Sequence, residues 1–349
     1  MMKKKTVVVV FGGVSPEYEV SLMSSYSVIK AINTDKYDVI KLGITKDGQW
    51  YRFSGDVEDV LSGKWINDDR YLTKAFIPPT RCGGIMELID DKVTILPIDI
   101  VFPVFHGKKG EDGTIQGLCE LAGLKLVGSG SAASALCMDK YRAQKLVEFE
   151  GIKITKAICY EQKPSDERLI SEAKALNLPI FVKPVKGGSS IGVTKVDDYS
   201  QLPEAVKLAY EYDDVVMIEQ GVIGKEVGCS VMGNNELITG RVNEIKVSVG
   251  IFDYNEKYTL ANSEIIVPAR IDEDTEKCIQ EVGKKVFKIL GCKGYARMDL
   301  FLTDEGDIVF NEANTIPGFT TVSQFPGMMK AAGMDYKDVV DKLIELGLE

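Results

Sequence analysis

Apolar positions along this chain fall into short continuous runs separated by glycine-rich turns and by stretches of helical period, the pattern of an α/β protein. Thr6–Phe11 is continuously apolar and β-branched, as a strand buried on both faces is. Gly12 and Gly13 turn the chain. Ser15 then reads as an N-cap, Pro16 as the first helical residue, and Glu17 and Glu19 as first-turn acids, with Val20, Met23, Ile29 and Ile32 continuing the helix. Tyr37–Ile44 is a second strand. Residues 45–95 read as loop-rich, with weak strands at Trp50–Phe53 and Lys92–Pro97. Ile98–Phe105 is a buried strand, Gln116–Ala122 begins a helix, and Lys125–Val127 is a short strand. Ser131 opens a helix that the pattern carries to Gly151 as C-cap. Strands follow at Ile180–Lys183 and Val215–Glu219. Residues 243–262 are polar and aromatic with little periodicity, the mark of a lid loop. Asp274–Leu290 is an amphipathic helix.

The densest chemistry lies in residues 294–326, where two apolar runs flank the turn-rich TDEGD and predict a β-hairpin. Side chains two apart share a strand face, so Arg297, Asp299 and Phe301 look one way, as do Phe310, Glu312 and Asn314. If those faces coincide, Asp299, Glu312 and Asn314 form an all-oxygen cluster beside one guanidinium. That set suits Mg²⁺ shared with substrate phosphates. The plainer reading is a hairpin whose charges face solvent. Apolar Met298, Leu300, Ile308 and Phe310 weaken it, since strands covered on both faces make unpaired carboxylates costly.

Composition narrows the classes. The 349 residues are enough for two or three domains with real cores, and 45% hydrophobic with 27% charged residues is ordinary for a globular protein. A formal charge of −10 argues against nucleic acid or an anionic membrane as the main partner. Seven scattered cysteines without a C-x-x-C suggest neither a disulfide frame nor a zinc site. The start, MMKKKTVVVVFGG, imitates a signal peptide, but its apolar run is short and meets glycines at once, so it reads as a first strand. No run reaches the roughly 18 apolar residues of a membrane span. A cytoplasmic protein is expected.

Several further positions carry candidate chemistry. Glu17, at a helix start, stabilises the dipole or accepts from a ligand amine. His106 is the chain's only histidine and follows a strand end, where open α/β sheets keep ligands; a lone histidine is nonetheless more often structural. Gly107, Gly110 and Gly113 point to backbone packed closely around something. Lys183 at a strand end, followed by KGGSSIG, has the make-up of a polyphosphate cradle, although the P-loop and dinucleotide fingerprints are both missing. Glu219 and Glu226 bracket a strand and loop that could meet an adenine amino group and ribose hydroxyls. Lys140 is by itself an ordinary surface lysine, and Lys257 and Tyr258 are lid groups able to reach a reaction centre.

Taken together, FGGVSPEYEVSL, FPVFHGKKGEDGTIQG, ALCMDKYRA, FVKPVKGGSSIGV, FDYNEKY, ARMDLF and VFNEANTIPGFT resemble the D-alanine–D-alanine ligases of the ATP-grasp superfamily, including the vancomycin-resistance D-alanine–D-serine ligases. The resemblance spans nearly the whole chain. It implies a three-domain α/β ATP-grasp ligase: a Rossmann-like (pre-ATP-grasp) domain at 1–137, a central one at 138–222 and a last one at 223–349 with the lid loop 243–262. It further implies ATP and two Mg²⁺ ions (Mn²⁺ able to substitute), D-alanine and a second D-amino acid as substrates, a homodimer, and supply of the dipeptide for peptidoglycan precursors.

Carried onto matching positions, Lys140 and Lys183 would bind ATP phosphates, with Glu219 near the adenine and Glu226 on the ribose. Gly188 and Ser190 would lie in the loop that folds over the phosphates, and Lys257 would approach the γ-phosphate. Asp299, Glu312 and Asn314 would hold the metals. Glu17, Ser189 and Tyr258 would form the family's triad, and His106 would lie beside the first substrate. Arg297 and the Gly318 N–H would make the oxyanion site, and Ser323 would take the second substrate's carboxylate. Tyr18 stands where the family often has a basic residue. Phe252 is typical of the D-serine ligases, whereas Gln324 and Asn243 stand where that type tends to carry an arginine and its acidic partner. The neutral pair tilts the expectation slightly toward D-alanine; D-lactate is disfavoured by the E-K-Y of the lid. Another ATP-grasp carboxylate–amine ligase would share the nucleotide half without needing Glu17 or Tyr258. A non-catalytic nucleotide-binding protein would not need the intact lysines and metal ligands.

Overall fold

The computed structural model describes residues 3–247 and 263–349. Three sheets organise the chain. The first has eight strands in the order Lys92–Pro97, Gly84–Ile89, Leu72–Phe76, Trp50–Phe53, Tyr37–Ile44, Lys5–Gly12, Ile100–Val104, Lys125–Leu126. Lys5–Gly12 is its centre and pairs in parallel with a strand on each side. Val7 to Phe11 are wholly inaccessible, as the unbroken apolar run requires. The connections after Lys5–Gly12 and after Ile100–Val104 diverge at the carboxyl ends of two neighbouring strands, the place where such sheets open a crevice. Glu17 follows one strand and His106 the other.

Gly12 and Gly13 make the first turn with φ of +86° and +97°, and a Cβ on Gly12 would lie 2.2 Å from the Ile44 carbonyl oxygen. Only glycine fits there. The helix then begins at Tyr18 and runs to Ala31, two residues later than expected, with Glu17 at its N-cap position. Ser15 is part of the turn: its hydroxyl donates to the His106 carbonyl (2.8 Å) and accepts from the Glu17 N–H (3.1 Å).

Residues 45–95 hold more structure than their pattern suggested. Leu72–Phe76 and Gly84–Ile89 complete an antiparallel meander, and Val57–Leu61 is a short helix. Their alternation was hard to see because the outward face is also apolar: Phe76, Leu88, Val93 and Ile95 are exposed.

The second sheet is antiparallel, in the order Ala157–Tyr160, Val216–Gln220, Ile180–Pro184, Thr194–Val196. The third runs Ser263–Ile266, Asn243–Val247, Gly224–Gly233, Gly294–Thr303, Ile308–Asn314, Lys153–Ile154, with Leu237–Thr239 added on Gly224–Gly233. Asn243–Val247, expected as the start of a loop, is therefore a strand. The helix expected over 131–151 is two, Ser131–Met138 and Lys140–Phe149, broken where Asp139 turns out of helical geometry and accepts from the Arg142 N–H (3.0 Å) as an N-cap. Glu273–Ile289 packs on the third sheet, and Tyr336–Leu348 shares a core with Val7, Val9, Ile100 and Phe102 of the first. Among the described residues no helix is long and apolar enough to cross a membrane.

Candidate active site

The expected hairpin forms, Gly294–Thr303 against Ile308–Asn314, and its register sets Arg297 opposite Asn314 and Asp299 opposite Glu312. Past that pair the register slips, so Leu300 faces Phe310 and Asn311 is the extra residue of a β-bulge. The bulge corrects one expectation: Phe310 turns into the core with Leu300 instead of sharing the Glu312 face. Asn311 joins Glu312 on the cavity side, where its Oδ1 is buried without a hydrogen-bond partner.

These strands wall a cavity of about 280 Å³ between the second and third sheets. Arg297 holds Asp299 from both sides, Nε to Oδ1 at 2.6 Å and Nη2 to Oδ2 at 2.9 Å, and Asn314 Nδ2 donates to the same carboxylate at 2.8 Å. Burial pulls the guanidinium pKa down, but Asp299 outweighs it and the group stays above its usual range. Lys140, in the first turn of its helix, reaches Glu312 Oε2 (3.2 Å) and the Gly187 carbonyl (2.5 Å), tying the hairpin to the glycine–serine loop. Lys183 pairs with Glu219. Burial pulls its ammonium down; Glu219, then Glu312 and Glu226, more than restore it. Glu219 also accepts from Gln144 Nε2 (2.6 Å) and Thr155 Oγ1 (3.1 Å), so three donors fix its orientation. Glu226 lines the same wall.

At the crevice of the first sheet, the Ser189 hydroxyl donates to the buried Glu17 carboxylate. Ser189 and Ser190 both take left-handed backbone, φ +48° and +56°, as the loop folds over. Gly188 and Gly107 let the backbone approach: a Cβ on Gly107 would stand 2.4 Å from Glu17 Oε2, and one on Gly188 3.1 Å. His106 Nδ1 faces the Ile316 carbonyl (3.2 Å), which only accepts, so Nε2 takes the Ser24 hydroxyl (3.0 Å). Burial lowers its pKa against the opposing pull of Glu17, leaving a neutral ring with both nitrogens engaged. That geometry suits a group holding the loop in place better than a general base.

Glu111 was not singled out from the sequence. Its carboxylate accepts from the Gly107 N–H (2.8 Å) and the Ile316 N–H (3.3 Å), joining the histidine loop to the chain leading to Gly318. Burial, reinforced by Glu17, pushes its pKa up to about 8. Its flanking glycines were the readable signal. Gln144 was also missed, although it stands four residues after Lys140 on the same helix face.

Gly318 and Ser323 are brought together, a Gly318 Cβ lying 3.2 Å from Ser323 Oγ, which accepts from the Thr320 N–H (3.0 Å). Asn243 Nδ2 donates to Gln324 Oε1 (3.0 Å), and Gln324 in turn lines the cavity. Glu17, His106, Gly318, Ser323 and Asn243 do not line it themselves. Phe252, Lys257 and Tyr258 lie outside the described residues.

Among the described residues no three of His, Cys, Asp and Glu converge as a ready metal cage. What is present is a cross-strand carboxylate pair with an amide beside it. Like charges directly opposite each other are unfavourable. An ion such as Mg²⁺, which favours carboxylate and phosphate oxygens, would relieve this. The residues fit such an ion.

A cavity between an antiparallel and a mixed sheet, lined by two lysines and a cross-strand carboxylate pair suited to a polyphosphate with a divalent ion, beside a Rossmann-like crevice with a buried carboxylate, is the architecture of an ATP-grasp ligase. The chain belongs to the D-alanine–D-alanine ligase family. Models described as "D-ala D-ala ligase N-terminus" and "D-ala D-ala ligase C-terminus" match residues 6–129 and 146–345. A D-alanine–D-alanine ligase of Caldicellulosiruptor bescii is 40% identical, covering 100% of this chain and 96% of its own. The vancomycin B-type resistance protein VanB of Enterococcus faecalis is 42% identical, covering 100% of both. The solved VanG D-Ala:D-Ser ligase of Enterococcus faecalis superposes with a TM-score of 0.92 at 48% identity, covering 99% of this chain and 100% of that one.

Proposed function

We propose that this protein joins D-alanine to a second D-amino acid at the expense of ATP, through a D-alanyl phosphate, with D-alanine slightly favoured as the second substrate. The observation that carries this reading is the union of two half-sites. Lys140, Lys183 and the Asp299–Glu312 pair face one cavity, and Ser189 of the same cavity wall reaches Glu17 in the neighbouring crevice.

In this reading Glu17, held by Ser189, anchors the first D-alanine's ammonium, and His106 and Glu111 fix the loop beside it. Lys140 and Lys183 draw the phosphates, Glu219 faces the adenine and Glu226 the ribose. Asp299, Glu312 and Asn314 would hold two Mg²⁺ ions (Mn²⁺ substituting), which supply charge neutralisation on the phosphate oxygens. The substrate carboxylate attacks the γ-phosphate and ADP leaves. The second amine then attacks the acyl carbon while Arg297 and the Gly318 N–H face the oxygen on which charge develops, and phosphate departs. Ser323 takes the second carboxylate. Loop closure over the acyl phosphate keeps out water that would hydrolyse it. Lys257 and Tyr258 act from the lid. The division into units 1–137, 138–222 and 223–349, a cytoplasmic location and a homodimer belong to the same proposal.

The D-alanine preference rests on the uncharged Asn243–Gln324 pair. A second reading, D-serine, is favoured by the 48% identity to a D-Ala:D-Ser ligase, and it would make the protein resistance-type. ADP and phosphate release with D-alanine, with and without equal D-serine, and dipeptides identified by mass, test both. D-Ala–D-Ala as main product supports the first, D-Ala–D-Ser the second. No ADP with either overturns both and leaves another ATP-grasp ligase.

A further inference from the structure

Of the seven cysteines, two meet. Cys137 and Cys292, 155 residues apart, place their sulfurs 3.7 Å from each other in the core under the third sheet. Both are buried, and Cys137 also lines the nucleotide cavity. Among the described residues no other two sulfurs are in hydrogen-bond contact. Cys278 is exposed, and Cys82 and Cys159 are half-buried with no thiol beside them to react with next.

The position of Cys137 gives the pair its interest. It is the penultimate residue of the helix Ser131–Met138, two residues before the Asp139 break and three before Lys140. Cys292 sits two residues ahead of the strand Gly294–Thr303, its N–H bound to the Phe287 carbonyl (3.0 Å). A bond between the sulfurs needs them about 2.05 Å apart. Closing the gap therefore pulls the Met138–Lys140 junction toward the core of the third sheet, away from the placement in which Lys140 meets Glu312 and the Gly187 carbonyl.

We propose that Cys137 and Cys292 form a peroxide-sensitive dithiol: oxidation links them as a disulfide that displaces Lys140, and a nucleotide in the cavity shields the pair. The loss of activity, though not the linkage, rests on the reading of Lys140 as a phosphate contact. The chemistry balances. The Cys137 thiolate attacks one oxygen of hydrogen peroxide, hydroxide leaves, and a sulfenic acid forms. Cys292, giving up its proton, attacks that sulfur and expels the second hydroxide. Two thiols and one peroxide become one disulfide and two waters. Its hydrogen bond to Cys292, which holds the proton on Cys137, and burial keep the Cys137 thiol well above the usual thiol range. The reaction is therefore slow at neutral pH and accelerates as pH rises.

The test is to treat the reduced full-length protein with hydrogen peroxide, remove the oxidant with catalase, quench at low pH and map peptides by mass. Runs with and without Mg·ATP are compared, alongside nucleotide affinity and ADP release before and after dithiothreitol. The expected result is a peptide pair joined through Cys137 and Cys292, suppressed by nucleotide. Displacements of about 1 Å cost up to on the order of a hundredfold, so nucleotide affinity and turnover should fall on the order of tenfold or more and recover on reduction. Cys292→Ser and Cys292→Ala should keep basal turnover, form no link and resist peroxide. Full oxidation of other thiols without the 137–292 link overturns the proposal. So does a link that leaves nucleotide affinity unchanged, or inactivation that persists in both Cys292 variants. Because the link and the affinity are read without turnover, a chain that ligates no D-amino acid would still answer the question.

Discussion

Asp299 and Glu312 face one another across adjacent strands, each with its own cation, Arg297 for the first and Lys140 for the second. The arrangement separates two jobs that sequence alone merges. Asp299 is oriented by a guanidinium and an amide, whereas Glu312 is tied to a lysine that also bonds the glycine–serine loop. Glu312→Gln keeps the shape and removes the charge, and turnover should fall on the order of 10²–10³-fold. Saturating Mg²⁺ should not restore it, and the melting temperature should stay close to that of the parent. Activity within a few-fold of the parent would remove Glu312 from the metal site. Glu111 offers a pH signature. Its pKa is raised to about 8 in the folded chain, so between the ordinary carboxylate range and pH 8 the folded state holds a proton that the unfolded state has lost. Its stabilising contribution is whole at low pH and disappears as pH rises through 8, at up to about 1.4 kcal/mol per pH unit. Urea unfolding of ligand-free Glu111→Gln from pH 5 to 9 should show a flatter decline than the parent, and parallel curves would remove the buried proton.

At the scale of elements, the site depends on how closely separate backbones approach. Gly107 has φ +77°, and its missing Cβ leaves room for Glu17. Gly107→Ala should raise the KM for the first D-alanine by on the order of tenfold or more, since a displaced anchor acts much as a misplaced reactant does, while nucleotide affinity changes little. Equal loss of both would mean that the two half-sites unfold together. Elements like this were unevenly legible. The hairpin of Gly294–Thr303 and Ile308–Asn314 was readable because its turn and both apolar faces are written in neighbouring residues. Its bulge was not: the extra residue, Asn311, shows only against the partner strand, and strict alternation therefore misplaced Phe310. The break at Asp139 was hidden inside a helical pattern, since an N-cap aspartate and an ordinary helix-surface aspartate look alike until the Arg142 N–H is seen. Lys183, Glu219 and Glu226 could be named from their stretches, but their convergence, with Gln144 and Thr155 behind Glu219, needed two sheets and a helix to be assembled.

Across the whole molecule the charge balance decides how the nucleotide must arrive. The chain carries −10 overall, and the cavity that would take a polyphosphate is itself lined, among the described residues, by Lys140, Lys183 and Arg297 against Glu111, Glu219, Glu226, Asp299 and Glu312. Three cations face four carboxylates and the proton-holding Glu111, and each cation is already paired with one of the four. A bare ATP tetra-anion would enter against that field and would have to break Lys140 from Glu312 or Lys183 from Glu219 to gain a contact. A divalent ion would change the sum at the point where Asp299 and Glu312 are opposed, since those carboxylates would hold it and it would supply positive charge to the phosphates. Calorimetric titration with ATP in excess chelator should therefore give an affinity at least about tenfold weaker than in saturating Mg²⁺, a difference of about 1.4 kcal/mol or more. Glu312→Gln should narrow that gap, because it removes a repelling charge and a metal ligand in one step. Raised salt should narrow it less, as charges inside the cavity are poorly screened. Equal affinity with and without the ion would show that the lysines alone carry the phosphates and that the carboxylate pair serves only to hold the hairpin to its neighbours.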